Sequence, residues 1–179
     1  VLKMRWLHIS DIHYNPKDAG VNTKKLIKRL PEYLAEQKIE VDHVFVTGDF
    51  RHAGRQFDKD NKAVADDAAA LIRELSAVVG VTATANIHIV PGNHDITRYK
   101  ESKDIRRLKE IRKRYDAHDG SFTDDSQEFL LNRFEFFGCV HAALYGSDET
   151  AWKSELMLAQ NYRIFDEFNL LYLNTALFC

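Results

Sequence analysis

The chain has 179 residues, a net charge of −2 and a hydrophobic content of 45%, so it is long and apolar enough for one domain with a buried core. A net charge so close to zero favours neither nucleic acid nor a membrane surface as a general partner. Two cysteines exclude a disulfide framework and a CxxC metal pair, so we expect a reducing, cytoplasmic setting. The first residues contain no apolar stretch long enough for a signal peptide or a membrane span.

The first half of the chain predicts alternating strands and helices. The predicted elements are, in chain order, strand 4–10, helix 22–38, strand 42–47, helix 59–79 and strand 86–90. The strands are short apolar runs, and the helices carry apolar residues at helical spacing. Pro31 predicts a kink or a break in the first helix. This alternation is typical of an α/β fold with a parallel βαβαβ sheet.

The second half is predicted to be largely helical before it returns to strands. Residues 98–160 show no strong strand pattern, and 124–145 predict one long apolar helix. Two further strands are predicted at 162–168 and 170–178. Residues 98–116 contain nine basic and four acidic residues; a solvated helix face explains this charge, and contact with nucleic acid is the alternative.

Three short motifs follow the three predicted strands of the parallel sheet. They are Asp11-Ile12-His13, Gly48-Asp49 and Gly92-Asn93-His94-Asp95. Because ligands of parallel sheets collect at the carboxyl ends of strands, we expect these residues to meet at one edge of the sheet. Carboxylate, imidazole and amide groups are suitable ligands for divalent metals, and two metals in one cleft cleave phosphoesters. Taken singly, each of the first two motifs is better explained as a turn or a helix cap than as a metal site.

In this order and strand context, the motifs resemble those of the calcineurin-like metallophosphoesterase superfamily, in its phosphodiesterase-like branch. The resemblance is close as far as Asp95 and general beyond it. It implies a metallophosphoesterase-type αββα sandwich, in which the βαβαβ core holds two divalent metal ions (Mn, Fe or Zn) and a helical insertion follows the third strand. The implied metal ligands are Asp11 and His13 for the first metal, Asp49 as a bridge, and Asn93 for the second metal.

The resemblance also implies a reaction and the residues that assist it. A metal-bound hydroxide would attack the phosphoester, and a diester such as a nucleotide or nucleic-acid linkage is preferred over a monoester. His94 would protonate the leaving oxygen or hold the phosphoryl group, and Asp95 would cap the next segment or orient the imidazole. Arg51 and His52 either contact a substrate phosphate or lie in a solvated loop. The alternatives are a catalytically silent binding module of this fold and a nuclease of the same superfamily.

Two departures from the family pattern bear on how much of the domain is present. The family completes its metal shell with later histidines, including a Gly-His-x-His motif, and no Gly-His occurs in this sequence. His52 stands where some members carry a second Asp, which argues against the phosphoprotein-phosphatase branch. We therefore expect a single, C-terminally incomplete metallophosphoesterase domain over 1–179. Its expected regions are a metal-binding core (1–97), a helical insertion or cap (98–160) and further strands (161–179). Its incomplete sheet would expose apolar surface and an unpaired edge, which favours self-association.

Overall fold

Three parallel strands form the sheet on which the rest of the molecule is built. The computed structural model describes residues 3–14, 21–51, 61–117, 123–148, 152–153, 160–165 and 168–176. The strands are β1 (Trp6–Ile9), β2 (His43–Val46) and β3 (Ile87–Ile89), hydrogen-bonded in that order. Helices α1 (Val21–Glu36) and α2 (Asn61–Val78) connect them. The predicted α/β class with a parallel βαβαβ core is thereby confirmed.

The buried core lies between one face of this sheet and helices α2 and α5 (Glu135–Tyr145). Val44 and Val46 of β2 are fully buried, because alternate residues of a strand point to the same side. Arg73 on α2 donates hydrogen bonds from both terminal guanidinium nitrogens to the carbonyl oxygen of Ala143 on α5, at 2.9 and 2.8 Å. This packing holds the strands, and with them the loops that follow, in fixed positions.

Helix α1 continues through Pro31, so there is no break at that residue, and the alternative of a kink stays a prediction. Proline costs about 3 kcal/mol in a helix interior, because it removes one backbone hydrogen bond and crowds the preceding turn. Leu34 is buried, and Ile27 and Leu30 pack partly against the core. Full burial of a side chain of this size contributes about 1.5–3 kcal/mol, so Leu34, together with the partial burial of Ile27 and Leu30, offsets the cost of Pro31.

The predicted single helix at 124–145 is wrong, because the structure divides it. The helices after β3 are α3 (Ser102–Asp116), α4 (Asp124–Leu131) and α5. A 3₁₀ turn at Asn132–Phe134 separates α4 from α5. The backbone N–H of Thr97, in the loop after β3, donates to the carbonyl oxygen of Arg133 at 2.7 Å. In a continuous α-helix that carbonyl oxygen would accept a hydrogen bond from within the helix. Because it accepts the N–H of Thr97, the hydrogen bond between the two segments favours the tighter 3₁₀ turn.

None of the helices in the described ranges is long and apolar enough to span a membrane. The last two predicted strands are present as β4 (Gln160–Ile164) and β5 (Asn169–Leu173), which form an antiparallel hairpin. Leu171 and Leu173 lie on one face of the hairpin and are 56% and 49% exposed. The expected exposed apolar surface is therefore present, while self-association through it stays a prediction.

The hairpin packs on the sheet face opposite the helices. The Tyr172 hydroxyl oxygen lies 2.7 Å from Nδ1 of His88, whose Nε2 lies 3.0 Å from Nδ1 of His43. The rings of Phe165 and Phe168 meet the His43 ring edge-on, at centroid distances of 5.3 and 5.0 Å. Burial lowers the pKa of His88 to about 4, and positive charge on His43 and on Arg163 acts in the same direction. The hairpin is thus attached through a neutral, buried histidine.

Acid is expected to weaken this attachment. Because the pKa of His88 in the folded protein lies below the ordinary value of 6.5, the unfolded chain takes up the proton first. The stabilisation is therefore complete above pH 6.5 and is lost as the pH falls from 6.5 toward about 4. Allowing for solvent screening, we expect the His88 contribution to the free energy of unfolding to fall by roughly 1–2 kcal/mol between about pH 7.5 and about pH 5. The raised pKa of Asp95 acts in the opposite direction over the same range, so the loss is measured by urea unfolding as the difference between the wild type and a variant without His88.

A histidine variant identifies the group responsible for this acid sensitivity. His88→Asn keeps a polar partner for the Tyr172 hydroxyl and removes the titrating ring, so its free energy of unfolding should fall less over the same range. His8→Asn is the matched control, because His8 is an exposed histidine of β1 and should leave the wild-type loss unchanged. An equal loss in the His88 variant and the wild type would contradict the assignment.

Candidate metal centre

The loops that follow β1 (residues 10–14) and β2 (residues 47–51) lie side by side at the carboxyl edge of the sheet. The N–H of His13 donates to the carbonyl oxygen of Asp49 at 2.9 Å, and the N–H of Tyr14 donates to that of Phe50 at 2.8 Å. These bonds continue the parallel pairing of the strands beyond their ends. The first two sequence motifs are therefore held next to each other by backbone contacts.

Three of the predicted metal ligands form one cluster. Asp11, His13 and Asp49 each offer one ligand atom, and these atoms lie within 4.8 Å of one another. Nε2 of His13 is 3.5 Å from Oδ1 of Asp11. The Ser10 hydroxyl donates to the exposed Asp11 carboxylate and, more than any other influence, lowers its pKa; positive charge on His13 and His94 also lowers it. Asp11 therefore stays ionised, as a metal ligand must be.

The same three residues hold unusual backbone conformations. Asp11, His13 and Asp49 have φ angles of 56°, 46° and 54°, in the left-handed region. Among non-glycine residues of the described ranges, Lys38 alone shares that region. Such conformations cost about 1–3 kcal/mol each and persist where the surrounding structure or a function requires them. Three of the four such residues in the described ranges stand at the clustered side chains, which makes this edge of the sheet the candidate functional site.

The loop after β3 (residues 90–97) brings the third motif to the same place. The backbone N–H of His94 donates to Oδ1 of Asp49 at 2.8 Å. The ring centroids of His94 and His13 are 4.8 Å apart. Asn93 and Asp49 both line a cavity of about 460 Å³ between the sheet and the hairpin. The three motifs therefore meet at one edge of the sheet, with Asp49 in contact with both of the others.

The loops after β2 and β3 touch through two glycines. A Cβ atom built on Gly48 would lie 2.1 Å from the backbone nitrogen of Gly92, and one built on Gly92 would lie 2.2 Å from Oδ1 of Asp49. Gly48 also has a φ angle of 84°. Only a residue without a side chain fits at either position.

The carboxylate of Asp95 is fully buried between these two loops. Its Oδ2 accepts the N–H groups of Asp49 and Gly92, both at 2.8 Å. Its Oδ1 accepts the N–H of Phe50 at 2.8 Å and that of Arg51 at 3.4 Å. Burial raises the pKa of Asp95 to about 7, and the backbone donors oppose that rise.

Arg51 has a role that the sequence did not reveal. Its side chain is buried, not solvated, and Nε donates to the carbonyl oxygen of His94 at 3.2 Å. Its guanidinium carbon lies 4.4 Å from the centre of the Phe136 ring, within the range of a cation–π contact. Arg51 thus supports the His94 backbone. His52 lies outside the described residues, so its expected contact with substrate stays a prediction.

Comparison with known proteins identifies the family. Residues 4–171 match the family model of the calcineurin-like phosphoesterases. The chain belongs to the calcineurin-like phosphoesterase family. The resemblance of the three motifs to this family is thereby confirmed, as is the α/β fold that it implied, while the phosphodiesterase-like branch stays a prediction.

One curated relative of the chain is a protein of Bacillus subtilis (strain 168), named uncharacterized metallophosphoesterase-like protein YydB. The two are 30% identical over 99 residues, which cover 54% of this chain and 18% of the relative. No solved structure matches the chain significantly.

The clustered side chains fit the divalent metals of a phosphoesterase. Asp11 and Asp49 place two carboxylates within a few ångströms, and their mutual repulsion is relieved when a cation lies between them. Oxygen and imidazole nitrogen donors suit Mn, Fe or Zn. His13 contributes an imidazole to this cluster, so the donor chemistry agrees with the predicted metals.

Proposed function

We propose that this protein hydrolyses phosphoester bonds with the help of two divalent metal ions, and that a phosphodiester is its preferred substrate. Asp11 and His13 would hold one ion, Asp49 would contact both, and Asn93 would hold the other. The observation that carries the proposal is the convergence of Asp11, His13 and Asp49 within 4.8 Å, in a member of the calcineurin-like phosphoesterase family. Divalent ions bound there would polarise the phosphoester and lower the pKa of a coordinated water.

His94 is the proposed proton donor to the leaving oxygen. Its backbone is fixed on both sides, by the Asp49 carboxylate at its N–H and by the Arg51 guanidinium at its carbonyl oxygen. Its ring lies beside that of His13, one of the proposed ligands, with 4.8 Å between the ring centroids. An imidazole in that position can protonate an alkoxide or phenoxide as it departs, which a carboxylate of the cluster cannot do while it holds a cation.

His94→Ala is expected to lower turnover of an aryl phosphodiester by about 10²–10³-fold and to leave Mn²⁺ affinity nearly unchanged. The reason is that a proton donor stabilises the transition state without holding the ion. Steady-state assays and calorimetric Mn²⁺ titration of the full-length protein measure the two effects separately.

The control for this variant is His8→Asn, which removes an exposed imidazole of β1, keeps a polar side chain beside the Thr47 hydroxyl and should alter neither quantity. Equal losses of Mn²⁺ affinity and turnover in His94→Ala would make His94 a metal ligand. A wild-type protein that binds Mn²⁺ without hydrolysing any phosphoester would instead favour the silent binding module.

A nuclease is the second candidate, and helix α3 favours it. Arg106, Lys109 and Lys113 are exposed and are spaced by three and four residues, so they lie on one face of the helix. A polyanionic substrate would gain affinity from this charge, and the gain would fall steeply with salt. Oligonucleotide turnover that is much more sensitive to salt than aryl-diester turnover would support the nuclease. Equal sensitivity would support a small substrate.

A further inference from the structure

We propose that Asp95 is a positioning residue that locks the loop after β2 to the loop after β3, and thereby fixes the spacing of the metal ligands Asp49 and Asn93. The inference rests on the function proposed above. Asp95 would act by binding backbone N–H groups of both loops. The sequence had suggested instead that it caps the next segment or orients the His94 imidazole.

The carboxylate of Asp95 binds both loops at once. Three of its four N–H donors, those of Asp49, Phe50 and Arg51, belong to the loop after β2, and the fourth, that of Gly92, belongs to its own loop. The ionised form of the carboxylate has only acceptor sites, and in that form Asp95 can receive all four donors. Bonds from N–H groups to a buried carboxylate are among the strongest in proteins.

The connection also runs in the opposite direction. Asp95 accepts the backbone N–H of Asp49 at 2.8 Å, while the side chain of Asp49 accepts the backbone N–H of His94 at 2.8 Å. Each loop therefore supplies one carboxylate to the backbone of the other. The contact between Gly48 and Gly92 allows the two backbones to approach closely enough for this exchange.

The geometry of these bonds argues against proton transfer by Asp95. Both carboxylate oxygens face N–H donors, so a proton on either oxygen would meet one of those donors. One of the amides that Asp95 binds belongs to Asp49 itself, and another belongs to Gly92, the residue before Asn93. We therefore expect loss of these bonds to lower metal affinity.

Asp95→Asn tests the proposal, because an amide of the same shape presents one oxygen and one NH₂ group. At least one N–H group then faces a donor and loses its acceptor. In the full-length protein, well below its unfolding temperature, we expect the dissociation constant for Mn²⁺ to rise by about 10–100-fold. The Mn²⁺ electron paramagnetic resonance spectrum should change as well, since ligand spacing changes.

Asp42→Asn is the matched control. Asp42 also accepts a backbone N–H, that of Arg5 at 2.7 Å, but it precedes β2 and so lies at the opposite end of the sheet. The same chemical change there removes a carboxylate from a backbone donor and should leave Mn²⁺ affinity and the resonance spectrum as in the wild type. A drop in affinity of similar size in both variants would overturn a specific positioning role.

The remaining outcomes separate this inference from the proposed function. If the wild type binds Mn²⁺ and Asp95→Asn binds it equally tightly, the positioning role is wrong and the proposed function survives. If the folded wild type binds none of Mn²⁺, Fe²⁺ and Zn²⁺, the proposed function is wrong and the inference falls with it. If Asp95→Asn does not fold, amide hydrogen exchange of the wild type decides: Asp49 and Phe50 should exchange as slowly as amides of β2, and fast exchange would overturn the lock.

Discussion

Asp49→Asn is expected to lower phosphodiester turnover by about a thousandfold or more, and to do so with little effect on folding. The substituted amide retains an oxygen that can accept the N–H of His94, so the contact between the loops after β2 and β3 is preserved. What is lost is the negative charge that would contact both metal ions. Because Asn93 would hold only one ion, Asn93→Ala should cost less turnover than Asp49→Asn. Steady-state assays at saturating Mn²⁺, together with thermal unfolding, measure both effects.

Asp67→Asn supplies the control for this charge removal. Asp67 lies on α2 and accepts a hydrogen bond from the Tyr14 hydroxyl at 3.1 Å, outside the ligand cluster. Its replacement should leave turnover within about twofold of the wild type, as is usual for a substitution away from the chemistry. Unchanged turnover in Asp49→Asn at saturating Mn²⁺ would refute the role proposed for Asp49.

Gly48→Ala is expected to cause the largest loss of stability, about 3 kcal/mol or more, together with loss of Mn²⁺ binding. The new Cβ would lie 2.1 Å from the nitrogen and 2.4 Å from the Cα of Gly92. Both atoms are backbone, so the clash cannot be relieved by rotating a side chain. The two loops must separate, and Asp49 then moves relative to Asn93. Urea unfolding and Mn²⁺ titration measure the two losses.

Gly80→Ala separates the clash from the backbone conformation. Gly80 has a φ angle of 88°, nearly that of Gly48, but a Cβ atom there would meet nothing within 4 Å. Its substitution therefore carries only the left-handed penalty of about 1–2 kcal/mol and should leave Mn²⁺ binding intact. Equal destabilisation by the two substitutions would show that close approach of the loops after β2 and β3 is not what Gly48 provides.

The sequence predicted the placement of the site because its signals were local and regular. Apolar runs ended at Asp11, Gly48 and Gly92, and alternation with helices implied a parallel sheet. Parallel strands bring their carboxyl ends to one edge, so the convergence of Asp11, His13 and Asp49 followed from topology.

The features that the sequence did not predict depend on backbone geometry and tertiary contacts. Asp and His adopt a left-handed φ more often than most residue types, but the sequence does not show which Asp or His will do so; Asp11 and His13 do so in loops that are paired by backbone hydrogen bonds. The sequence left the role of Asp95 open, because the groups that donate to its carboxylate are main-chain N–H groups. Every residue type except proline carries such a group, so the sequence does not show which of them bind Asp95. The interruption before α5 arose from Thr97, a residue distant in sequence that pairs with Arg133.

The most direct test of the account is anomalous diffraction from crystals of the full-length protein grown with Mn²⁺, recorded near the manganese absorption edge. We expect two anomalous peaks at the carboxyl edge of the sheet, one beside Asp11 and His13, the other beside Asn93, with Asp49 in contact with both. A folded protein with no peak at these residues, or with manganese bound only elsewhere, would contradict the metal centre and the function proposed from it.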